Sequence, residues 1–169
     1  VIRKIISVVQ EGVNTVVELD TALVDLQKTT TMSGSQLVSF YEDANDAAKQ
    51  LGVTTKDIIQ SAADWSRLGY SDKNSSQMMA KLAAQFAAIS PGVSIEESTT
   101  GLVSVMKAYG IEAEEVLDGV MSKINIVGNT AATSNAEIIS GLQNSASAMA
   151  AMNSTLEENI ALFTAAQEI

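Results

Sequence analysis

Apolar residues recur at steps of three and four along nearly the whole chain, and strand-like alternation of apolar and polar residues is absent. Steps of three and four place side chains on one face of an α-helix. The pattern therefore predicts an all-α fold for the 169 residues. The predicted helices cover residues 1–28, 35–50, 55–67, 72–89, 95–108, 112–127, 134–151 and 155–169.

The first predicted helix is the longest, and its apolar residues form a stripe with steps of 3, 4, 4, 3, 3, 4 and 3 residues. This spacing is typical of a coiled-coil seam, with one stutter near Gly12. The stripe would run for about 28 residues, or about 42 Å, and we predict a long amphipathic, coiled-coil-like helix over residues 1–30 with a possible oligomerisation seam. Packing of the same stripe on the chain's own domain is the simpler interpretation, because four heptads barely reach the usual length of a coiled coil. The candidate interface residues are Ile2, Ile5, Val9, Val13, Val16, Leu19, Leu23 and Leu26.

Residues 31–169 are predicted to form a multi-helix domain, an array of short capped helices in helical hairpins. Most breaks between these helices contain a glycine, often followed by an apolar residue and then a hydroxyl residue. Glycine favours the left-handed conformation after a helix end, and a hydroxyl side chain caps the next helix. The predicted breaks are Gly34, 51–54, 68–71, 91–94, 109–112, 128–133 and 152–154.

Four of these breaks lead into a capping motif, in which a hydroxyl residue is followed three residues later by an acidic residue. The predicted pairs are Ser94 with Glu97, Ser134 with Glu137, Ser154 with Glu157 and, as a weaker analogue, Thr54 with Asp57.

The apolar content is high, at 46%, but aromatic residues make up only 4% of the chain. Because small side chains bury little area each, we expect a core without large anchors and a soft, easily opened helical array. The first residue, Val1, and the last residues, 165–169, both fall within predicted helices. We therefore expect the chain to be a fragment of a longer polypeptide.

The composition excludes most catalytic chemistry. The chain has no histidine and no cysteine, so imidazole catalysis, thiolate nucleophiles, structural zinc sites and disulfides are excluded. A net charge of −10 disfavours binding to nucleic acid or anionic lipid, and no run of residues is apolar enough for a membrane span. We expect no enzyme activity, no catalytic residues, no cofactor, no metal, no specific nucleic-acid binding and no membrane contact.

Three groups of residues could carry chemistry, but each has a simpler structural interpretation. Glu114 and Asp118 share a helix face and could hold a hard cation or act as an acid–base pair, although complementing a helix dipole explains them better. Residues 72–76 begin like a calcium loop, but Gln77 stands where that loop needs glycine, which favours an ordinary helix start. Trp65 fits a buried anchor at a helix end better than a ligand platform.

Four segments together form a pattern of helix boundaries. They are 18–31 (ELDTALVDLQKTTT), 51–71 (LGVTTKDIIQSAADWSRLGYS), 124–145 (INIVGNTAATSNAEIISGLQNS) and 156–166 (LEENIALFTAA). The second segment contains a Gly-x-Thr-Thr sequence before an Ala-containing helix, which closes on Gly69-Tyr70-Ser71. In this order the four segments resemble the core region of bacteriophage tail tape measure proteins of the minor-tail family. The Pro91-Gly92 break departs from the family pattern because it is longer than the usual turn.

The resemblance implies a structural protein that occupies the lumen of the tail tube, sets tail length during assembly and is released before DNA passes. It also implies tail-tube and baseplate or tail-tip hub proteins as partners, and self-association through the N-terminal helix, with a trimer favoured. The implied location is the virion tail lumen, and the host cytoplasm during assembly. Similar proteins serve phage-derived, tail-like bacteriocins.

A protein that sets tail length by its own length has to be extended. As one continuous helix, 169 residues would span up to about 250 Å. As a compact fold, they would have a radius of gyration of only about 15 Å. Because the glycine-punctuated section looks compact, we predict an end module near the tail tip or baseplate. The alternative function is an independent helical protein-interaction module, such as an adaptor or effector. An enzyme would require an acid pair converging in a pocket.

Overall fold

A computed structural model describes the backbone of residues 2–167 and the side chains of residues 15–167. Within these residues the regular structure is helical and contains no strand, so the predicted all-α fold is confirmed. A 3₁₀ turn (Ala113–Glu115) and a π-helical turn (Leu117–Met121) precede the sixth α-helix. The α-helices are α1 (Ile2–Thr29), α2 (Gly34–Leu51), α3 (Thr55–Arg67), α4 (Lys73–Ala88), α5 (Ile95–Tyr109), α6 (Ser122–Thr130), α7 (Asn135–Ala151) and α8 (Leu156–Gln167).

Two of the predicted capping boxes start α5 and α7. The backbone N–H of Glu97 donates to Ser94 Oγ over 3.1 Å, and the N–H of Ser94 donates to Glu97 Oε2 over 2.8 Å. Ser134 and Glu137 form the same reciprocal pair, with distances of 3.2 and 2.8 Å. Each box satisfies helix-start N–H groups that have no partner within the helix, which fixes where the helix begins.

Two further caps start α2 and α3. Thr54 accepts a hydrogen bond from the N–H of Asp57 over 3.1 Å, as predicted. Ser33 and Gln36 form a capping box that the sequence pattern did not predict. Gly34, predicted as a break, is instead the first residue of α2, because Ser33 supplies the cap before it.

The predicted box of Ser154 with Glu157 is wrong by one residue. Thr155 starts α8 and pairs with Glu158, whose N–H donates to Thr155 Oγ1 over 3.1 Å and whose carboxylate accepts from the N–H of Thr155 over 2.8 Å. The N–H of Ser154 donates to the carbonyl of Met149 over 3.0 Å. Ser154 therefore belongs to the end of α7, and the cap moves to the next hydroxyl.

Four helix ends close with the backbone hydrogen bond that defines the Schellman motif, from the residue after a left-handed position to the carbonyl five residues earlier. Gly52 and Gly110 hold the left-handed position with φ of 69° and 65°, and Asn153 does so with φ of 62°. These reversals agree with the predicted breaks. The four hydrogen bonds are Val53 to Ala48, Tyr70 to Trp65, Ile111 to Met106 and Ser154 to Met149.

The predicted helix at 112–127 and loop at 128–133 are corrected by the structure. The first part is divided into a 3₁₀ turn and a π-helical turn, and α6 continues through Gly128 to Thr130. Gly128 lies within α6, and it faces the backbone and side chain of Asn135 at the start of α7. Its lack of a side chain serves this contact.

The chain divides into two compact units, Val1–Ala80 and Lys81–Ile169, with the division falling within α4. In unit 1, α3 packs against both α1 and α2. The helix α1 belongs to unit 1, and the predicted division of the chain at residue 30 stays a prediction. Large side chains that are fully buried in unit 1 are Trp65, Phe40, Leu26, Ile58, Ile59 and Met79.

The expectation of a core without large anchors is wrong. Trp65 is 1% exposed, and its ring meets that of Tyr70 edge to face with centroids 5.6 Å apart. Phe40 in unit 1 and Phe86 in unit 2 are fully buried as well. Few aromatic residues are present, but three of them are used at core positions.

In unit 2, α7 is the central helix and packs against α5, α6 and α8. Two buried asparagines contribute polar contacts to this packing. Asn135 donates to Ser90 Oγ over 2.9 Å, and Asn159 donates to the hydroxyl of Tyr109 over 3.0 Å and accepts from Ser145 Oγ over 3.1 Å. These contacts join segments far apart in sequence, so they help to fix the arrangement of the helices.

Glycines in unit 2 allow the helices to approach closely. A Cβ atom added at any of three glycine positions would overlap with a side chain of a neighbouring helix. The contacts therefore require that no side chain be present. The three pairs are Gly101 with Ile139, Gly128 with Asn135 and Gly141 with Phe163.

None of the described helices combines the length and apolar character needed to cross a membrane.

We expect the Gly101→Ala substitution to destabilise unit 2. Alanine normally stabilises a helix interior by about 1 kcal/mol relative to glycine. Here its Cβ would overlap with Ile139 Cγ1, which belongs to a stiff β-branched side chain. Because overpacking costs about 1–3 kcal/mol, the free energy of unfolding should fall, and urea denaturation followed by circular dichroism measures it.

The matched control is Gly119→Ala in the same unit, where an added Cβ would meet only Glu115 Cβ at 3.7 Å, an ordinary contact. We expect this variant to be as stable as the wild type or more so. A Gly101→Ala protein that is as stable as the wild type would contradict the close approach of α5 and α7.

Candidate functional site

The apolar stripe of α1 is divided between the core and the surface. Leu26 is fully buried within unit 1, Leu19 and Leu23 are half-buried, and Val16 is 66% exposed. The accessible part of the stripe, among the described side chains, is therefore Val16, Leu19 and Leu23. The predicted oligomer interface stays a prediction. Four of its residues, Ile2, Ile5, Val9 and Val13, lie outside the described side chains.

These accessible stripe residues line an apolar groove of about 500 Å³ between α1 and α2, which we call the α1–α2 groove. Val24 completes the apolar lining from α1, and Val38, which is 60% exposed, lies on the α2 side. Large apolar side chains in such a contiguous exposed surface are typical of an interaction site. The other lining residues are Leu37 and Tyr41 on α2, and Asp20 and Gln27 on α1.

The contribution of α2 to this groove was not predicted from the sequence. Phe40 and Ala44 face the core and form one apolar pair spaced by four residues. Leu37 and Tyr41 form a second such pair, rotated by about 60° around the helix. A second apolar pair outside the core stripe is the signal that could have identified this surface.

A second groove, of about 900 Å³, lies in unit 2 between the C-terminal end of α5 and the N-terminal end of α8. Glu114, Asp118 and Glu157 are among its lining residues, and Glu157 forms an ion pair with Lys123 that lowers the pKa of this carboxyl group. Glu114 and Asp118 are thus brought into one groove. Within the described part of the chain, however, no three acidic, histidine or cysteine side chains converge closely enough to hold a metal ion.

The remaining candidates for chemistry have local structural roles. Asp72 Oδ1 accepts hydrogen bonds from the N–H groups of Asn74 and Ser75, over 3.0 and 3.1 Å, which is the arrangement of an ordinary helix cap. The contacts with Ser75 hold the pKa of Asp72 below its ordinary value. Trp65 is the buried helix-end anchor that the sequence favours.

Three glutamates of unit 2 are engaged in the capping boxes, although their side chains are exposed. Hydrogen bonds from the capping residues hold the pKa of each carboxyl group below its ordinary value of about 4.3. The largest contribution comes from a backbone N–H for Glu97 and Glu158, and from the hydroxyl of Ser134 for Glu137. Part of the acidic excess is therefore used to start helices.

The described part of the chain thus has a helical fold, helix starts capped by carboxylates and two open grooves. Residues 41–168 match the family of phage-related minor tail proteins, which is more than half of the chain, so the chain belongs to this family. The family indicates a structural component of the phage tail, and hence of the virion. No curated protein and no solved structure matches the chain.

The capping glutamates should make the stability of unit 2 depend on pH. Their pKa values are lower in the folded than in the unfolded chain, so the stabilisation is present above about pH 4.3 and is lost as the pH falls through the lower folded-state values. We expect the triple variant Glu97→Gln, Glu137→Gln, Glu158→Gln to lose less unfolding free energy than the wild type between pH 6 and pH 3. Urea denaturation across this range measures the difference.

A second triple variant provides the control, because it removes the same charge from unit 2 without altering a described cap. It combines Glu96→Gln, Glu114→Gln and Asp118→Asn. The pH dependence of this variant should remain closer to that of the wild type. Equal flattening of the pH profile in both variants would show that general charge repulsion, and not the caps, determines acid stability.

Proposed function

We propose that this chain is part of a tape measure protein, which occupies the lumen of the tail tube, sets the tail length during assembly and is released before DNA passes. The observation that carries the proposal is the match of residues 41–168 to phage-related minor tail proteins. The ordered resemblance of four segments between residues 18 and 166 to the tape measure core supports the finer assignment.

The distribution of charge is compatible with a position on the path of DNA. The chain carries a net charge of −10, and residues after 80 include ten acidic and three basic side chains. Like charges repel, so such a surface would not retain the passing phosphate backbone. Its partners would be the tail tube and the baseplate or tail-tip hub proteins.

We further propose that this segment is an end module near the tail tip or baseplate, and not the part that measures. The longest helix after α1 is α2, whose 18 residues span about 27 Å. Reversals at positions such as Gly52 and Gly110 then interrupt the helical path. Compact units of this kind span little distance for each residue, whereas a segment that sets tail length has to span a long distance for each residue.

The module would also join copies of the protein through α1. The seam spacing from Ile2 to Leu26 supports a homotypic bundle, and the family resemblance favours a trimer. A symmetric bundle in the tube lumen would present the same surface of each copy to symmetry-related partners.

Deleting the parent gene from the phage tests the tape measure role. Without a gauge, tube polymerisation has no stop signal, so we expect no completed tails or tails of widely varying length. Negative-stain electron microscopy of lysates measures the distribution, and expression of the parent gene in trans should restore one length. Tails of normal length in the deletion strain would contradict the proposal and favour the alternative of a helical adaptor or effector.

A tandem duplication of residues 95–167 in the parent protein tests the end-module assignment. Drawn out as helix, the added segment would lengthen the tail by about 110 Å, whereas an end module adds nothing to the gauge. We expect unchanged tail length by electron microscopy. An inserted helical segment of equal length elsewhere in the parent polypeptide is the control and should lengthen the tail, while lengthening by the duplication itself would assign these residues to the gauge.

A further inference from the structure

The groove of unit 2 combines an acidic rim with an apolar floor, and this combination points to the chemistry of an occupant. We propose that it binds a lysine- or arginine-rich segment of a partner protein, and we call it the acidic groove. Its lining comes from the ends of α5 and α7, from the 3₁₀ and π-helical turns, and from the starts of α6 and α8. The surface therefore lies wholly within one compact unit.

The first argument is the charge of the side chains. Lys123 is the cation among the lining residues, and it is already paired with Glu157. Among the described side chains, the other three lining carboxylates have no cationic partner. They belong to Glu114, Glu115 and Asp118, which are all exposed. The acidic groove thus carries negative charge that a cationic partner would neutralise.

The second argument is the direction of the helices that meet there. Tyr109 comes from the last turn of α5 and Ala150 from the last turn of α7. The C-terminal end of a helix carries a partial negative charge. The start of α8 has the opposite sign, but the carboxylate of Glu158 caps it. The backbone therefore adds to the negative potential of the side chains.

The third argument favours basic side chains over a metal ion. In the described part of the chain, acidic side chains do not converge in threes at metal-binding distances. The apolar floor of the acidic groove contains Tyr109, Ile111 and Leu156, which are half-buried or buried. Lysine and arginine pack their methylene groups on such a surface while the charged end reaches outward. The exposed carboxylates of the rim lie where that charged end would arrive.

The fourth argument favours a peptide over a polyamine. The hydroxyl of Tyr109 accepts a hydrogen bond from the buried Asn159 over 3.0 Å, which holds the phenol in place. Among the described hydrogen bonds, the phenol's own proton has no acceptor, so it is available to a ligand. A peptide carries backbone carbonyl acceptors beside its cationic side chains, whereas a protonated polyamine carries no acceptor.

Fluorescence anisotropy with a labelled decapeptide of alternating lysine and alanine tests the proposal. We expect saturable binding to the chain at an ionic strength of about 0.15 M, where distant charges are screened. The double variant Glu114→Gln, Asp118→Asn should raise the dissociation constant at least about tenfold, because two rim carboxylates lose their charge. The control, Glu42→Gln with Glu96→Gln, removes the same charge at exposed positions outside the acidic groove and should change the constant less than about twofold.

A second pair of variants tests the place of binding without removing a carboxylate. Ala150→Arg puts the chain's own cation into the acidic groove, so it should raise the dissociation constant at least about tenfold. Ala161→Arg adds the same charge at an exposed position of α8 outside the acidic groove, and it should have less than about a twofold effect. Circular dichroism checks that each variant folds, and either groove variant that folds is sufficient for the test.

The outcomes separate this inference from its rivals. Failure of the lysine peptide to bind, or equal weakening by groove and control variants, would overturn the acidic groove as a docking site. Displacement of the peptide by spermidine as effectively as by unlabelled peptide would overturn the assignment of a peptide. The tape measure role is tested separately by tail length in the phage, so either proposal can fail without the other.

Discussion

The close approach of helices around α7 is the constraint on which unit 2 depends. Gly101 and Gly141 lie where neighbouring side chains, Ile139 and Phe163, occupy the space that a Cβ would need. Such contacts specify one register for each helix pair, because a shift along the helix would bring a side chain into the same place. Small residues therefore do not make this core loose; at these positions they make it specific. The expected softness of the array remains a hypothesis about unfolding and not a property of the packing.

Local backbone chemistry defines the lengths of the helices that are packed in this way. Left-handed residues close the helices, and hydroxyl–carboxylate boxes begin the next ones within a few residues. The acidic side chains used in these boxes are exposed, so they also contribute to the negative surface. One set of residues thus serves both folding and electrostatics, which explains how an acidic protein can accommodate Glu97 and Glu137 without burying a charge.

The sequence predicts features whose cause is local, and it fails where the cause is distant. Ser94 and Ser134 cap helices through residues three positions away, so their spacing is readable. Gly128 was predicted to begin a loop because glycine commonly ends helices, but its role is set by contact with Asn135 across a helix connection. The burial of Trp65 at a helix end was predicted correctly from its local context. The use of other aromatic residues as core anchors was not predicted, because it depends on contacts between helices. The α1–α2 groove could not be predicted, because it depends on the relative position of two helices. The apolar pattern within one helix carries no information about that position.

The stripe on α1 is divided between the core of unit 1 and the surface. Because Ala22 and Leu26 are buried in the core of unit 1, the rotation of α1 about its axis is fixed, and that rotation places Val16 and Leu23 in the α1–α2 groove. A helix with no buried residue would have no fixed orientation, and one whose whole stripe was buried would leave no apolar groove. The packing of α1 on α3 therefore also sets the geometry of the α1–α2 groove. Any change in α3 that rotates α1 should alter the groove without touching its lining.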